Sequence, residues 1–560
     1  MDIPNEQNTF FKKFKTSSTY QAFAKAPVAY FCAEYALESA FPTYAGGLGI
    51  LSGDYIREVA LQGFPLLAVG LRYQQGQNTL SNTPEQNLKK LKKVVDKNNQ
   101  DLVVSVPIEH RIVNIKVWQW EEDNIKLFLL DTDIEENILQ DREITKCLYD
   151  ENRDIRLKQE IVLGIGGFRV LAVLGYHASV YHLNEGHSAF LALELIRHEM
   201  EHQQVDFWEA CKYAKKHILF TNHTLALAGQ EQFLSEKVES FVDLCTKDIC
   251  LNKKEISALG SLPDNPNLFS MTTFSFGLSE KANAVSQLHY ENAKLVWPKQ
   301  AMDVVTNGIF IDRWDTLKNA SEANIWSKHL ENKKKLLTQV HEKTGEVWGE
   351  NDLIFVWARR LVEYKQPLFF FKDVEKFIEI VKNSEVPVRV IFAGPSGHNE
   401  NPFQTEIEKL INEKLRGTVV FLSGYNMDLA KILTSGADIW LNTPIMGMEA
   451  CGTSGMKAGL NGVLSLSTND GWINEINHED IGWVTSDSEN NQEMLKLFKE
   501  EIIPTYFSHL QNPANSVWVK KMMRARNLIF ANFSTTRMLK EYIEKFYIPI
   551  LEHKHAHKID

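Results

Sequence analysis

Cysteine is sparse in this chain: six residues in 560, at Cys32, Cys147, Cys211, Cys245, Cys250 and Cys451. The nearest pair, Cys245 and Cys250, matches no common zinc spacing, so no metal site is expected. Scattered thiols of this kind are expected to be reduced, as in a cytoplasmic protein. A basic excess is also missing, since 61 Lys and Arg stand against 72 Asp and Glu for a net charge of −11. A duplex-binding surface needs the opposite balance, which argues against nucleic acid as a partner. A focused basic pocket for a phosphate-bearing ligand stays open. No apolar run approaches the ~18 residues that span a bilayer, so no membrane partner is expected. The nearest run, Val162 to Val180, carries Arg169 and His177. The N-terminus, MDIPNEQNTFFKKFK, has no apolar core ahead of a small-residue cleavage site and does not read as a signal peptide. Repeats of fixed period and low-complexity tracts are lacking too. The His-rich tail, His553 to His557, reads as a solvated end.

What is present is an ordinary globular composition, 44% hydrophobic and 24% charged, in a chain too long for one core. Short apolar runs alternate with longer helical patterns. Strands are expected at Val28–Ala33, Leu66–Val69, Val103–Val106, Val113–Trp118 and Ile125–Leu130, the last three as an antiparallel or mixed patch. A long helix over Arg156–Leu174 precedes a strand at Val180–Leu183, a helix at Ser188–His202 and a strand at Ile218–Thr221. After a polar, Lys-rich stretch at Ser327–Asn351, expected to be hinge-like, a second series begins. It comprises strands Leu353–Ala358, Val388–Ala393, Val419–Leu422 and Ile439–Leu441, with helices at Gln404–Leu415 and Met427–Leu433. Such alternation implies an α/β protein with parallel sheets: two Rossmann-like domains facing a cleft, with ligands at the carboxyl ends of strands.

Four segments concentrate groups able to do chemistry. Tyr44-Ala45-Gly46-Gly47-Leu48-Gly49 has three glycines in four positions ahead of a helix expected at Ile50–Leu61. It is either a tight turn or a loop whose N–H groups face an anion, and its spacing is not the dinucleotide fingerprint. Thr221-Asn222-His223-Thr224 follows a strand, as does Asn184-Glu185-Gly186-His187; each could bind a hydroxyl-rich ligand or be structural. Arg359-Arg360-Leu361-Val362-Glu363-Tyr364-Lys365 places three cations within seven residues at the end of an apolar strand. That suits polyanions unless the turn is simply solvated. Finally, Glu449-Ala450-Cys451-Gly452-Thr453-Ser454-Gly455-Met456-Lys457 sets a lysine just after an anion-cradle geometry. Lys457 could pair with phosphate or form a Schiff base, and on residues alone a nucleotide-sugar site is equally open.

The segment EACGTSGMKAGLNG is similar to the pyridoxal-phosphate attachment segment of the α-glucan (glycogen, starch, maltodextrin) phosphorylase family. The four segments stand in that family's order. Further similarity lies in RLKQE at Arg156–Glu160, HLNEGH at His182–His187, TNG at Thr306–Gly308 and FLSGYNMDLA at Phe421–Ala430. The pattern resembles the short prokaryotic form. The resemblance implies the GT-B fold, with a Rossmann-like glucan-binding domain over 1–315, a cofactor domain over 316–535 and a C-terminal helix and tail over 536–560. It implies retaining phosphorolysis of an α-1,4-glucan or maltooligosaccharide by inorganic phosphate, yielding α-D-glucose 1-phosphate. Lys457 would hold pyridoxal 5′-phosphate covalently. Gly47, Arg360, Lys365 and Thr453 would surround the substrate and cofactor phosphates, with Ser454 and Tyr425 also on the cofactor. His223, Asn307, Tyr364 and Glu449 would bind glucose hydroxyls, and the His223 carbonyl would face developing positive charge. Leu48, Arg359, Cys451 and Gly452 complete the implied substrate set, and a homodimer is implied.

Cys451 stands where many members have Ser, Ser454 where long members have Gly, Arg359 where they have Lys and Val362 where they have His. A hydroxyl role at Cys451 is therefore lost, whereas Arg359 keeps the charge. The competing functions are a nucleotide-sugar-dependent glucan synthase of the same fold, which needs no pyridoxal, and a glucan-binding relative without catalysis.

Overall fold

Strands rich in Val, Ile, Leu and Phe without polar alternation must be covered on both faces, which in an α/β chain means parallel sheets between helices. The computed structural model describes residues 5–39, 41, 43–76, 90–120, 122, 124–225, 230–395 and 401–556. The chain forms two units. The N-terminal unit comprises Glu6–Val285, Asn292–Val305 and Met538–Asp560; the C-terminal unit is built mainly from Ser286–Glu291 and Thr306–Arg537.

In the N-terminal unit lie β1 (Val28–Phe31), β2 (Leu66–Leu71), β3 (Leu91–Lys93), β4 (Val103–Ile108), β5 (Arg111–Trp120), β6 (Leu127–Asp131) and β7 (Val180–Asn184). They are followed by β8 (Ile218–Thr221), β9 (Gln232–Leu234), β10 (Ser261–Leu262), β11 (Asn265–Ser270), β12 (Lys281–Ala284) and β13 (Met302–Val304). The main sheet runs β6-β2-β1-β7-β8-β12-β13, all parallel. An antiparallel extension of β5 with β3 and β4 joins at β6, as expected for the early patch. Strands β9 to β11 form a separate small sheet. The C-terminal unit holds β14 (Leu353–Ala358), β15 (Val388–Ala393), β16 (Val419–Leu422), β17 (Ile439–Asn442), β18 (Leu464–Thr468) and β19 (Gly482–Thr485). This sheet is wholly parallel, in the order β16-β15-β14-β17-β18-β19.

Counted along its own parallel strands, each sheet reads 3-2-1-4-5-6, with one more strand at the end of the first. The order reverses between β1 and β7 in one sheet and between β14 and β17 in the other. Loops that leave the carboxyl ends of those strands splay apart and open a crevice, where ligands bind in doubly wound sheets. The segments after β1, β7, β14 and β17 are therefore the positions from which chemistry can be done.

Two expectations are corrected. The stretch Ser327–Asn351 is no hinge: most of it is helix, Ile325–Thr344. Its lysines mask a helical stripe, because Ile325, His329, Asn332, Lys333, Leu336 and Val340 are buried at helical spacing. The long helix over Arg156–Leu174 is real but interrupted. An α-helix at Arg153–Ile161 passes through a π turn, Val162–Gly166, into Gly167–Val173. Its glycines allow close approach: a Cβ on Gly164 would lie 2.6 Å from the Leu191 backbone nitrogen. The His-rich tail at His553–His557 lies outside the described side chains. Among the described residues, no helix is long and apolar enough to cross a membrane.

The buried Lys333 anchors the C-terminal unit. Its Nζ donates to Asp438 Oδ2 and to the Asp352 carbonyl, both at 2.6 Å, and to Tyr506 Oη at 2.9 Å. Asp438 also accepts from the Ile354 N–H at 2.8 Å and contacts His329 Nε2 at 3.0 Å. This carboxylate ties the helix to the start of β14. Removing one partner of a buried pair leaves the other charge uncompensated, which costs about 3–5 kcal/mol. Asp438→Ala is expected to lose stability on that scale in urea denaturation.

Candidate functional site

The carboxyl edge of the C-terminal sheet brings together most of the charged residues singled out in the sequence. Arg359 follows β14 and turns toward β17. Its Nη1 donates to the Asn442 side-chain oxygen and its Nη2 to the Leu441 carbonyl at 3.0 Å. The guanidinium lies 5.4 Å from the centroid of the Trp357 ring. Its Nε is buried and has no hydrogen-bond partner. Burial lowers the Arg359 pKa to about 10, with Tyr425 and Tyr364 close enough to act in the opposite sense. Arg360, next in the chain, is exposed, so the three cations are not all buried.

Lys365 is buried at the end of a short 3-10 turn, Glu363–Lys365, and its Nζ donates to Glu449 Oε2. Burial, then Arg359 and Arg360, push the ammonium well below its usual range. Such a group keeps its charge only beside an anion. Tyr364 has its ring 4.7 Å from Lys365 Nζ, and its carbonyl accepts from the Ile445 N–H at 2.8 Å. Thr443 ties the same turn to the sheet, accepting from Trp357 Nε1 at 3.0 Å and donating to the Lys365 carbonyl at 3.1 Å.

The loop from β17 to the helix Ser454–Leu460 carries Glu449, Cys451, Gly452 and Thr453. Gly452 has φ +82°, a conformation that favours glycine. Burial raises the Cys451 thiol, which faces the backbone N–H of Asn307. Asn307 itself is buried with its Oδ1 unpartnered, while its carbonyl accepts from Arg537 Nη2 at 3.1 Å. Thr453 and Ser454 open the helix, and the Thr453 carbonyl accepts from the Lys457 N–H at 3.3 Å. Lys457 is buried, with Nζ 4.3 Å from the centroid of the Trp314 ring. A buried amine against an indole, together with the orphaned Arg359 Nε at the same sheet edge, fits a flat, phosphorylated aldehyde cofactor. Lys457 would hold its aldehyde carbon.

The N-terminal unit carries the other expected residues. The helix Gly47–Gln62 begins after Gly46, leaving the first-turn N–H groups of Gly47 and Leu48 without intrahelical acceptors. A Cβ on Gly46 or Gly47 would meet nothing within 4 Å. Glu34, just beyond β1, holds the approach: Oε2 accepts from the Ala45 N–H at 2.6 Å and the Gly46 N–H at 3.1 Å, and Oε1 accepts from Tyr149 Oη. His223 follows β8, with Nε2 2.7 Å from Asn184 Oδ1 and its N–H donating to Glu185 Oε1 at 3.1 Å. Glu185 has φ +74°, and burial pushes its carboxyl up to about 7.

Further residues, some of them inside the motifs named above, complete both edges. Three residues of the C-terminal unit were missed in the sequence: Asp470 accepts from the Glu449 N–H, Glu475 accepts from Thr306 Oγ1, and Arg537 donates to the Thr306 carbonyl. In the N-terminal unit, Glu160, His187 and Glu231 place ligand atoms within 4.8 Å of one another, and both Glu160 oxygens are buried without partners. Arg153 and Arg156 pair with Glu231 there, and those two positive charges oppose a metal ion. Asp470, Glu475, Arg537 and Glu231 lie in no segment singled out in the sequence, so only spatial proximity reveals them.

Because the folded-state pKa of Glu185 is raised, its protonated form contributes stability below its unfolded pKa of about 4.3. That contribution is lost as pH rises through about 7. Glu185→Gln is expected to gain melting temperature relative to the parent protein between pH 5 and pH 7.5, measured in parallel thermal melts.

Comparison with known proteins adds the following. The model of the carbohydrate phosphorylase family matches residues 318–487. The maltodextrin phosphorylase of Thermococcus litoralis is 33% identical over 97% of this chain and 72% of its own. The glycogen phosphorylase of Aquifex aeolicus is 32% identical over 96% of this chain and 88% of its own. An uncharacterised protein of Methanocaldococcus jannaschii is 30% identical over 93% of this chain and 99% of its own.

Proposed function

Because the chain belongs to the carbohydrate phosphorylase family, we propose that it is an α-glucan phosphorylase. In this reading it splits the terminal α-1,4-linked glucose from a glucan or maltooligosaccharide with inorganic phosphate, retaining configuration and releasing α-D-glucose 1-phosphate. The observation that carries the reading is the cationic carboxyl edge of the C-terminal sheet: a desolvated Lys365, an Arg359 Nε lacking a partner and an exposed Arg360 beside the Lys457 segment. We read the two α/β units as the paired Rossmann-like domains of the GT-B architecture. Cytoplasm and a homodimer are the compartment and assembly that go with it.

Pyridoxal 5′-phosphate on Lys457 is the assigned cofactor, and when bound it supplies a second phosphate group as electrostatic partner and proton relay. Two phosphates side by side repel, by about 4 kcal/mol per pair of unit charges at ~4 Å in a surface-like dielectric. Arg360, Lys365 and the N–H groups around Thr453 offset that repulsion, and the first-turn N–H groups at Gly47 and Leu48 are assigned to anion binding as well. Phosphate gives its proton to the glycosidic oxygen, the anomeric C–O bond breaks, and a phosphate oxygen bonds the oxocarbenium-like carbon on the same face. The buried setting of Lys365 limits water, which would otherwise compete for that carbon. Asn307 Oδ1 and Glu449 are assigned to glucose hydroxyls, as are His223 and Tyr364. Glu449 acts here as a hydroxyl acceptor, not as a nucleophile.

Incubating the protein with maltoheptaose and phosphate should release glucose 1-phosphate in a phosphate-dependent manner, and its absence in protein reconstituted with cofactor overturns the reading. Lys457→Ala is expected to lose the near-ultraviolet absorption of bound pyridoxal and at least about 100-fold in kcat. Arg360→Ala should raise the KM for phosphate about tenfold, the scale of one charge-assisted contact.

A further inference from the structure

The geometry points to Asp470 as a positioning residue that sets Glu449 for sugar recognition, an inference that rests on the phosphorylase reading. Asp470 follows β18 and is 1% exposed. Its Oδ2 accepts from the Glu449 N–H at 2.8 Å and from the Met448 N–H at 3.2 Å, and its Oδ1 accepts from the Gly471 N–H at 2.7 Å. One carboxylate therefore fixes the Glu449 N–H and the main-chain amide just before it.

The following residues finish the mould. The Trp472 N–H donates to the Cys451 carbonyl at 3.1 Å, two residues past Glu449. Gly471 has φ +61°, and a Cβ there would lie 2.3 Å from that same carbonyl. Asp470 to Trp472 thus grip the loop on both sides of Glu449 and Ala450, and the loop cannot shift without breaking bonds on one side or colliding on the other. Glu449 in turn accepts from Lys365 Nζ. A main-chain displacement of even part of an ångström at Glu449 alters where its carboxylate can reach.

Nothing in the fold requires an acid at this position for packing. A buried carboxyl is costly to desolvate, and burial does push Asp470 up to about 7 against the pull of the amides and of Lys365. An amide side chain would fill the same volume at less cost. What an amide cannot do is accept at both terminal atoms, so Asp470→Asn gives up either the Glu449 clamp or the Gly471 bond.

The test is steady-state phosphorolysis by the cofactor-loaded enzyme, with phosphate and maltoheptaose varied separately. Asp470→Asn is expected to raise the KM for maltoheptaose about tenfold, while the KM for phosphate changes less than about threefold and the pyridoxal absorption stays at full occupancy. Asp470→Glu keeps the charge but moves its oxygens by a methylene, and should show the same split. Equal changes in both KM values, no change in either, or loss of bound cofactor overturns the assignment, as does failure of both variants to fold, since the role is then structural. A parent enzyme that makes no glucose 1-phosphate under these conditions sinks the phosphorylase reading itself, separately from the role of Asp470.

Discussion

A lysine taken out of water must be given a counter-charge, and the carboxyl edge of the C-terminal sheet is organised around that demand. Lys365 lies buried beside two arginines, and within the protein Glu449 answers it. Because the pair depends on short-range geometry, both partners need firm supports. Thr443 and the Ile445 amide hold the turn that carries Lys365, and Asp470 holds the loop that carries Glu449. Those supports in turn stand at the ends of β14, β17 and β18, whose neighbourhood follows from the reversal of strand order. Charge, loop and sheet form one dependency, and the same unit adds a second buried pair, Lys333 with Asp438, at the opposite ends of the strands.

Much of the fold was legible because its strands are short, apolar and flanked by polar turns. Leu353–Ala358, Val388–Ala393, Val419–Leu422 and Ile218–Thr221 appear with the bounds read from sequence. The short parallel strands β12, β13, β18 and β19 were not anticipated: Lys281–Ala284 and Gly482–Thr485 are too brief and too mixed to stand out. Ser327–Asn351 misled for a different reason, since its charge hides a buried stripe in which Lys333 itself takes part. Of the site, the cation-bearing and glycine-bearing segments could be read locally. Asp470, Glu475 and Arg537 could not, because each acts on a backbone distant in sequence.

The N-terminal edge shows a comparable chain of contacts around acids. Glu34 secures the glycine loop and receives Tyr149, Arg156 lies 4.6 Å from the Tyr149 ring, and Arg156 reaches Glu231 near the unpartnered Glu160. Burial holds the Glu160 carboxyl well above the usual carboxylate range and lowers the His187 imidazole to about 3.

The path of the polypeptide has its own consequence for biogenesis. Tyr542 and Tyr547 sit among the aromatic side chains of the N-terminal unit, where Tyr547 Oη meets Tyr55 Oη and His182 Nδ1, both at 2.8 Å. Those tyrosines leave the ribosome some 490 residues after Tyr55. The half of the molecule made first is therefore sealed by a stretch made near the end, and its last contacts close only after the other half has been translated. Such long-range closure slows folding and leaves an apolar seam open during synthesis, the situation in which nascent chains are held by chaperones.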